Sequence, residues 1–470
     1  MSVKLKPYPA MKDSGAPWLG KVPEHWETWR LKYLLHERDS RSADGREQLL
    51  CVSQYTGVTQ RLSSDGTEEP DTRAASLVGY RRVQANELVV NIMLAWNGSM
   101  GVSRYDGIAS PAYCVYRFVP SANPWYFHHL LRSPTYKAHI KTVSTGVVES
   151  RLRLYSDDLY KIEALLPPLP EQSAIVRFLD HADRRIRRYI RAKQKLIKLL
   201  EEQRQAIIHR AVTRGLDPNV RLKPSGVPWL GDVPEHWEVR KLRSLFRRHG
   251  SGTTPAGDAY YGGGIPWIMT GDLTDTVVSE TKRSVTKQAL MDVSALRLYP
   301  AGSLAVAMYG ATIGKTGVFG MEACTNQACC VLAHPLATVN VRFVQAVVVM
   351  AKGQLIQQSY GGGQPNINAE IVRSLRIPVP TRDEQDHITR AISDKAAALD
   401  AASQRASAEI SLLREYRTRL IADVVTGKVD VREAAVLLPD EAEEPESLDE
   451  GEATEAEEMT DTEEAVDAND

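Results

Sequence analysis

Two histidines, His25 and His236, stand in the same setting, Pro-Glu-His-Trp-Glu. A histidine beside a carboxylate could act as a general base. No nucleophile accompanies either one, so each reads as a satisfied structural histidine in a docking loop. The segment Gly310-Ala311-Thr312-Ile313-Gly314-Lys315-Thr316 approaches a phosphate-cradling loop but is one residue short of GxxxxGK[ST]. The strand-like Gly317-Val318-Phe319-Gly320 follows it where a helix is required. Asn123-Pro124-Trp125-Tyr126 is similar to the tetrapeptide that adenine amino-methyltransferases set beside a flipped base. Trp125 stands where those enzymes have proline, and no glycine-rich cofactor loop precedes it, so the segment reads as a helix start. The five cysteines, Cys51, Cys114, Cys324, Cys329 and Cys330, form no CxxC pair, and the histidines lack helical ligand spacing. Their odd count without paired spacing argues for a reducing cytosol. No catalytic residue, bound cofactor or metal site is expected in this chain, and catalysis by it alone is not expected.

What remains is recognition chemistry. Arg or Lys reads guanine in the major groove, and Asn or Gln reads adenine. Such residues sit on glycine-rich, loop-like segments in two regions. In the first they are Ser53, Gln54, Tyr55, Arg61, Trp96, Asn97, Arg151 and Arg153. In the second they are Thr253, Thr254, Tyr260, Tyr261, Thr270, Lys315, Asn326, Gln327, Gln364 and Asn366. A surface or turn role is as good a reading for any one of them; as a set they favour DNA. The 58 basic and 59 acidic residues nearly cancel, yet 16 acidic residues lie in 440–470, which leaves +15 on the rest. A body that basic suits a polyanion partner. The tail's composition is that of a solvated, disordered segment.

These regions must be positioned by something, and the chain supplies it twice. From about residue 171 to 215, Ile175, Leu179, Ala182, Ile186, Tyr189, Lys193, Leu196, Leu200, Gln203 and Ile207 recur in steps of four and three, the seam of a coiled coil. Pro167, Pro168 and Pro170 precede it; Gly215 and Pro218 follow. A helix of roughly 40 residues spans about 60 Å and needs a partner. Moving on 213 residues gives Ile388, Ile392, Lys395, Leu399, Ala402, Ala406, Glu409, Leu413, Tyr416 and Leu420. The flanks return as well: Glu171-Gln172 as Glu384-Gln385, and Val212-Thr213 as Val425-Thr426. This is a duplication. The polar breaches Lys193, Gln203, Lys395 and Glu409 would fix register. In the first helix Arg184, Arg185, Arg187, Arg188, Arg191, Lys193, Lys195 and Lys198 crowd one section, expected to lie near DNA or an acidic partner surface.

A second repeat precedes each region. Pro17-Trp18-Leu19-Gly20 and Pro23-Glu24-His25-Trp26 return as Pro228-Trp229-Leu230-Gly231 and Pro234-Glu235-His236-Trp237. The basic stretches after them (Arg30 and Lys32; Arg240, Lys241 and Arg243) look like short helices. The regions between, 39–165 and 249–377, carry short strand-like runs with helices at 124–141 and 341–358, so each is expected to be a compact α+β domain. A trace of likeness persists at an offset of 216: Leu88-Val89-Val90 with Leu304-Ala305-Val306, and Cys114-Val115 with Cys330-Val331.

A PWLGxVPEHWE motif, a variable domain, a PPLPEQ segment running into a long helix, and a second copy of all three resemble the specificity subunit of a type I restriction-modification system. The GTTPxxxxxYYGGGIPWIMTGDL, GATIGKTG, CTNQA and QPNI segments are similar to carboxy-terminal target-recognition domains of that family. The likeness reaches about residue 432; the acidic tail departs from the pattern. The expected fold is α+β: two target-recognition domains held apart by two long helices in an antiparallel coiled coil, with an internal pseudo-twofold repeat. The boundaries are 1–168 for the first motif and domain, 169–224 for the first long helix and linker, 225–380 for the second motif and domain, 381–432 for the second helix, and 433–470 for the tail. Such a pseudo-dimer should read two different half-sites about one DNA turn apart, with the helices as a ruler.

The resemblance implies more. Double-stranded DNA and two methyltransferase (modification) subunits would be partners. S-adenosylmethionine would enter with those subunits, and ATP and Mg2+ with up to two translocase–nuclease (restriction) subunits. Trp18, His25, Trp26, Trp229, His236 and Trp237, in the repeated motifs, are the candidate docking residues. A cytoplasmic location without a membrane partner is expected. The competing reading is a stand-alone sequence-specific DNA-binding regulator.

Overall fold

The two proline-led segments open helices of 46 and 44 residues, Leu169–Arg214 and Arg382–Val425. The computed structural model describes residues 5–61, 74, 76–148, 151–360 and 365–439. The chain divides into two units, residues 1–194 with 407–470, and residues 195–406. Each long helix therefore starts in one unit and ends in the other. In the first unit Asp183 pairs with Arg417, and Lys193 with Glu409 at 2.5 Å. In the second, Arg204 reaches Asp400 at 3.2 Å. Rising numbers on one helix meet falling numbers on the other, so the helices run antiparallel within each unit.

The buried stripe departs from the expected seam midway. Ile175, Leu179 and Ile186 are buried as expected, but the next buried positions are Ile190 and Ile208, while Tyr189 and Leu196 are exposed. On the second helix Ile388, Ala406 and Leu420 are buried, with Ile410 in place of Glu409, and Tyr416 exposed. A four-residue step replaces a three-residue one after Ile186, and Ile208 likewise takes the place of Ile207, whereas Lys193 and Leu200 keep theirs. Of the polar breaches, Lys193 and Glu409 form an ion pair, whereas Gln203 and Lys395 are exposed.

The domain of the first unit is built on a four-stranded antiparallel sheet, ordered Leu35–Glu37, Tyr113–Phe118, Leu88–Asn91, Met100–Val102. The domain of the second unit repeats it as Phe246–Gly250, Cys329–Pro335, Leu304–Ala307, Thr316–Phe319, and adds Thr276–Val278 in parallel at the edge. The registers match the sequence likeness: Cys114 faces Val90, and Cys330 faces Val306. These strands carry continuous apolar runs because both faces are covered, by helices on one side and smaller sheets on the other. The covering helices are Pro124–Leu131 and Pro134–Val143 in one unit, Val341–Met350 and Lys352–Gln357 in the other. Asn123 and Asn340 cap the first of each pair, each accepting backbone amides. The segment beginning at Asn123 is thus a helix start.

The basic stretches after the repeated motifs differ from expectation. Glu27–Arg30 and Glu238–Lys241 are strands, paired with Glu163–Leu166 and Arg376–Val379. Only Leu31–Tyr33 and Leu242–Leu245 turn helically. At the far end the fold runs past the boundary drawn at 432. Arg432–Val436 is a short helix with Ala434 and Ala435 buried. Residues 440–470, most of the acidic tail, lie outside the described residues.

Candidate nucleic-acid interface

The repeated histidine motif closes on the first turn of a long helix. In the first unit Tyr8 Oη donates to Glu171 Oε1 at 2.6 Å, Trp26 Nε1 donates to the same oxygen at 3.0 Å, and His25 Nε2 lies 2.7 Å from Oε2. In the second, Trp237 Nε1 donates to Glu384 Oε1 at 2.9 Å and His236 Nε2 lies 3.0 Å from Oε2. A carboxylate there also meets the positive end of the helix dipole. Burial, then the hydrogen bond to Glu171, raises the Tyr8 hydroxyl far above its ordinary range, which keeps it a donor.

The next residue completes the lock. Gln172 accepts the Asn123 amide at 2.7 Å and donates to the Pro167 carbonyl at 2.8 Å; Gln385 accepts the Asn340 amide at 2.8 Å and donates to Pro380 at 2.9 Å. Each Glu-Gln pair thereby fastens one motif and one domain to one helix. The opposite helix ends at the same place. Gly427, at φ +74°, has no room for a Cβ against Pro23 and Trp26 of the first unit. Gly215, at φ +73°, abuts Trp237 and Glu384 of the second.

The lock corrects the docking candidates. Trp26 and Trp237 are fully buried and have no surface to offer a partner. Trp18 is half-buried, stacked on His139 at 3.8 Å, and Trp229 is half-buried against the second core. His25 and His236 keep one edge at the surface, with side chains 40% and 52% exposed.

In the first domain Ser53, Gln54 and Tyr55 form the turn between strands Leu50–Ser53 and Gly57–Gln60. The turn borders a cleft lined by Arg104, Trp125, His128, Lys137, Arg187 and Arg417, among others. Burial, then the Arg132 charge, holds the His128 imidazole well below its usual range, so it is neutral and its Nδ1 accepts the Val102 amide. Arg61 lies just past the second strand, its amide bonded to the Leu49 carbonyl. Asn97 turns inward, accepting from the amide and hydroxyl of Ser99. Trp96 donates to the Met93 carbonyl and is half-buried. Arg151 and Arg153 sit on a separate loop that folds back on Thr145.

In the second domain Thr253, Thr254, Asn326 and Gln327 come together. The Thr253 amide donates to the Thr325 carbonyl at 3.1 Å, and Thr254 Oγ1 donates to Gln327 Oε1 at 2.8 Å. Thr270 begins the turn after Ile268, whose carbonyl accepts the Asn326 amide. Tyr260 bonds Asp292, away from that group, whereas Tyr261 bonds the Pro255 carbonyl next to Thr254 and packs on Trp267, which donates to the Thr253 carbonyl. Lys315 is half-buried in the turn after Thr312, and Asn366 pairs with Tyr309 beside it. Gln364 lies outside the described residues. The Gly310–Thr316 segment is a short turn entering a strand, and Asp275 and Gln345 engage the Thr316 hydroxyl. It is no phosphate cradle.

Unlike domains carried on copies of one lock define an internally duplicated protein. The comparisons agree. The family model described as type I restriction modification DNA specificity domain matches residues 234–410. The type I restriction enzyme MjaVIII specificity subunit of Methanocaldococcus jannaschii is 21% identical over 88% of this chain and 95% of its own length. The MjaIX specificity subunit of the same organism is 26% identical, and the EcoR124I/EcoR124II specificity subunit of Escherichia coli is 25% identical. Those two alignments span only 39% and 40% of the relatives' lengths. Two solved chains share the fold at 17% identity. One, described in a study of complex assembly and conformational transition of the type I R-M system, has a TM-score of 0.65 and covers 86% of this chain and 98% of its own. The HsdS subunit from Thermoanaerobacter tengcongensis has a TM-score of 0.50 over 87% and 98%. This chain is similar in sequence to type I restriction-modification specificity subunits and shares the fold of the two solved chains.

Proposed function

We propose that this protein is the DNA-reading subunit of a type I restriction-modification complex. Each domain reads one half of a bipartite, asymmetric site, and partner subunits methylate adenine or cleave. The observation that carries this is the duplicated lock: Glu171 and Glu384 fasten two unlike domains to two helices in the same way. A symmetric dimer reads a palindrome; a fused pair with dissimilar readers reads two dissimilar half-sites.

The subunit recognises rather than catalyses. Its repeated histidines serve Glu171 and Glu384, and its lysine-bearing glycine loop serves a strand. S-adenosylmethionine belongs to two methyltransferase subunits, and ATP with Mg2+ to translocase–nuclease subunits where these join. The repeated elements suit two identical partners, and the exposed edges of His25 and His236 lie within them. No described helix is long and apolar enough to cross a membrane, and the chain works on DNA in the cytoplasm. Nothing in the fold favours a stand-alone regulator.

The test is co-expression with a methyltransferase subunit, followed by genome-wide mapping of methylated adenine. Two unlike half-sites with a fixed gap are expected. One uninterrupted motif overturns the proposal.

A further inference from the structure

The turn bearing Gln54 and Tyr55 is gathered onto the Arg132 side chain, with the Tyr55 amide donating to Ser53 Oγ at 3.1 Å. Arg132 follows the helix Pro124–Leu131, whose end fixes it. Its Nη2 donates to the carbonyls of Gln54 at 3.0 Å and Tyr55 at 2.8 Å. Its Nη1 donates to Ser53 at 3.2 Å and to Met100, on the neighbouring strand, at 2.6 Å. Three successive carbonyls are thus drawn onto one guanidinium. Gly57, at φ +79°, closes the turn; a Cβ there would lie 3.0 Å from Arg132 Nη1 and 3.0 Å from His128. Tyr55 remains 41% exposed on the outside.

Among the described residues of the second domain no single side chain gathers successive loop carbonyls in this way. Counting from the capping asparagines, Asn123 and Asn340, the place of Arg132 falls to Val349. Its candidate loop is held instead by three separate side chains, each on one carbonyl: Tyr299 on Ser251 at 3.1 Å, Trp267 on Thr253 at 3.3 Å and Tyr261 on Pro255 at 2.8 Å, beside backbone bonds from Gly252 to Asn326 and from Thr253 to Thr325. The unlike halves therefore differ in how their loops are fixed as well as in what they carry.

We propose that Arg132 is a positioning residue that sets the reading turn of the first domain, and so determines one half-site and not the other. This rests on the DNA-reading function above. A planar fork satisfies several carbonyls at once, whereas an ammonium is a single point charge. Arg132→Lys keeps the charge and loses the fork. The turn then shifts under Gln54, the residue type that reads adenine.

The assay is methylated-adenine mapping of the full chain with its methyltransferase subunit, for wild type, Arg132→Lys and Gln54→Ala. Arg132→Lys is expected to relax the first half-site by about tenfold or more at one or two positions, the scale of one lost base contact. The second half-site and the gap stay unchanged. Gln54→Ala relaxes the same positions. An intact first half-site in Arg132→Lys overturns the inference, and so does equal loss of both half-sites. If wild type itself shows no bipartite motif, the functional reading fails instead, which is a separate result.

Discussion

Replacing Glu171 with alanine should cost far more than replacing its copy, Glu384. In the first unit two buried donors, Tyr8 Oη and Trp26 Nε1, converge on Glu171. Removing their acceptor strands both, at about 1–3 kcal/mol each, so Glu171→Ala should lose about 2–6 kcal/mol. His25 adds little, because its exposed edge can turn to water. In the second unit only Trp237 is a buried donor, and the Glu384 side chain is 28% exposed against 5% for Glu171. Glu384→Ala should lose about 1–3 kcal/mol. Glu171→Gln keeps an acceptor but not the charge and should fall near half the alanine loss. Because a chain of two units need not unfold in one step, the measurement is hydrogen exchange resolved by segment, read around Trp26 and Trp237. An equal or larger loss in Glu384→Ala refutes the reasoning, as does a Gln variant as damaging as alanine.

Burial pushes the thiols of Cys324, Cys329 and Cys330 up to about 12. A raised folded-state pKa contributes stability that is complete below the unfolded value near 9 and is lost as pH rises towards 12. Alkaline unfolding of the second domain over that window should weaken in a Cys324→Ala/Cys329→Ala/Cys330→Ala variant, followed by circular dichroism; an unchanged alkaline limb counts against it. On the first long helix Arg187 pairs with Asp183 at 2.8 Å and Asp183 also binds Arg417, so Arg187 supports the helix pair. Neutralising Arg185, Arg188 and Arg191 should flatten the log–log salt dependence of DNA binding by up to about 2.7, at about 0.9 per phosphate; an unchanged slope removes this section from the DNA path. Deleting 440–470 moves the net charge from −1 to +15. The shortened chain should bind non-specific DNA more tightly at low salt by fluorescence anisotropy, with the difference fading as salt rises; equal affinities at low salt refute it.

The duplication was legible because it is written in sequence. Repeated Pro-Glu-His-Trp and Glu-Gln pairs mark both halves of the lock, though only folding shows that they meet. The central strands were legible as apolar runs, and even the pairing of Cys114 with Val90 recurs at Cys330 and Val306. The seam was not. Tyr189 stands beside Ile190, and Ile207 beside Ile208, so either choice keeps a heptad, and only the facing helix decides. The surroundings of the candidate readers were legible only in part. Asn97, Asn326 and Thr254 looked like base readers, yet their side chains bond neighbouring loop groups. Small polar residues in turns do this routinely, and sequence does not separate the two uses. Arg132 was missed because its partners are carbonyls, which leave no trace in residue type.

The first core contains Leu420, Val424, Val425 and Val431 beside Trp26 and Leu88. That core is therefore complete only once residues up to Val431 have been made. The second core needs only residues from Ile208 to Ile388. It can close first, so the later-made reader is finished before the earlier one, against the usual order of synthesis.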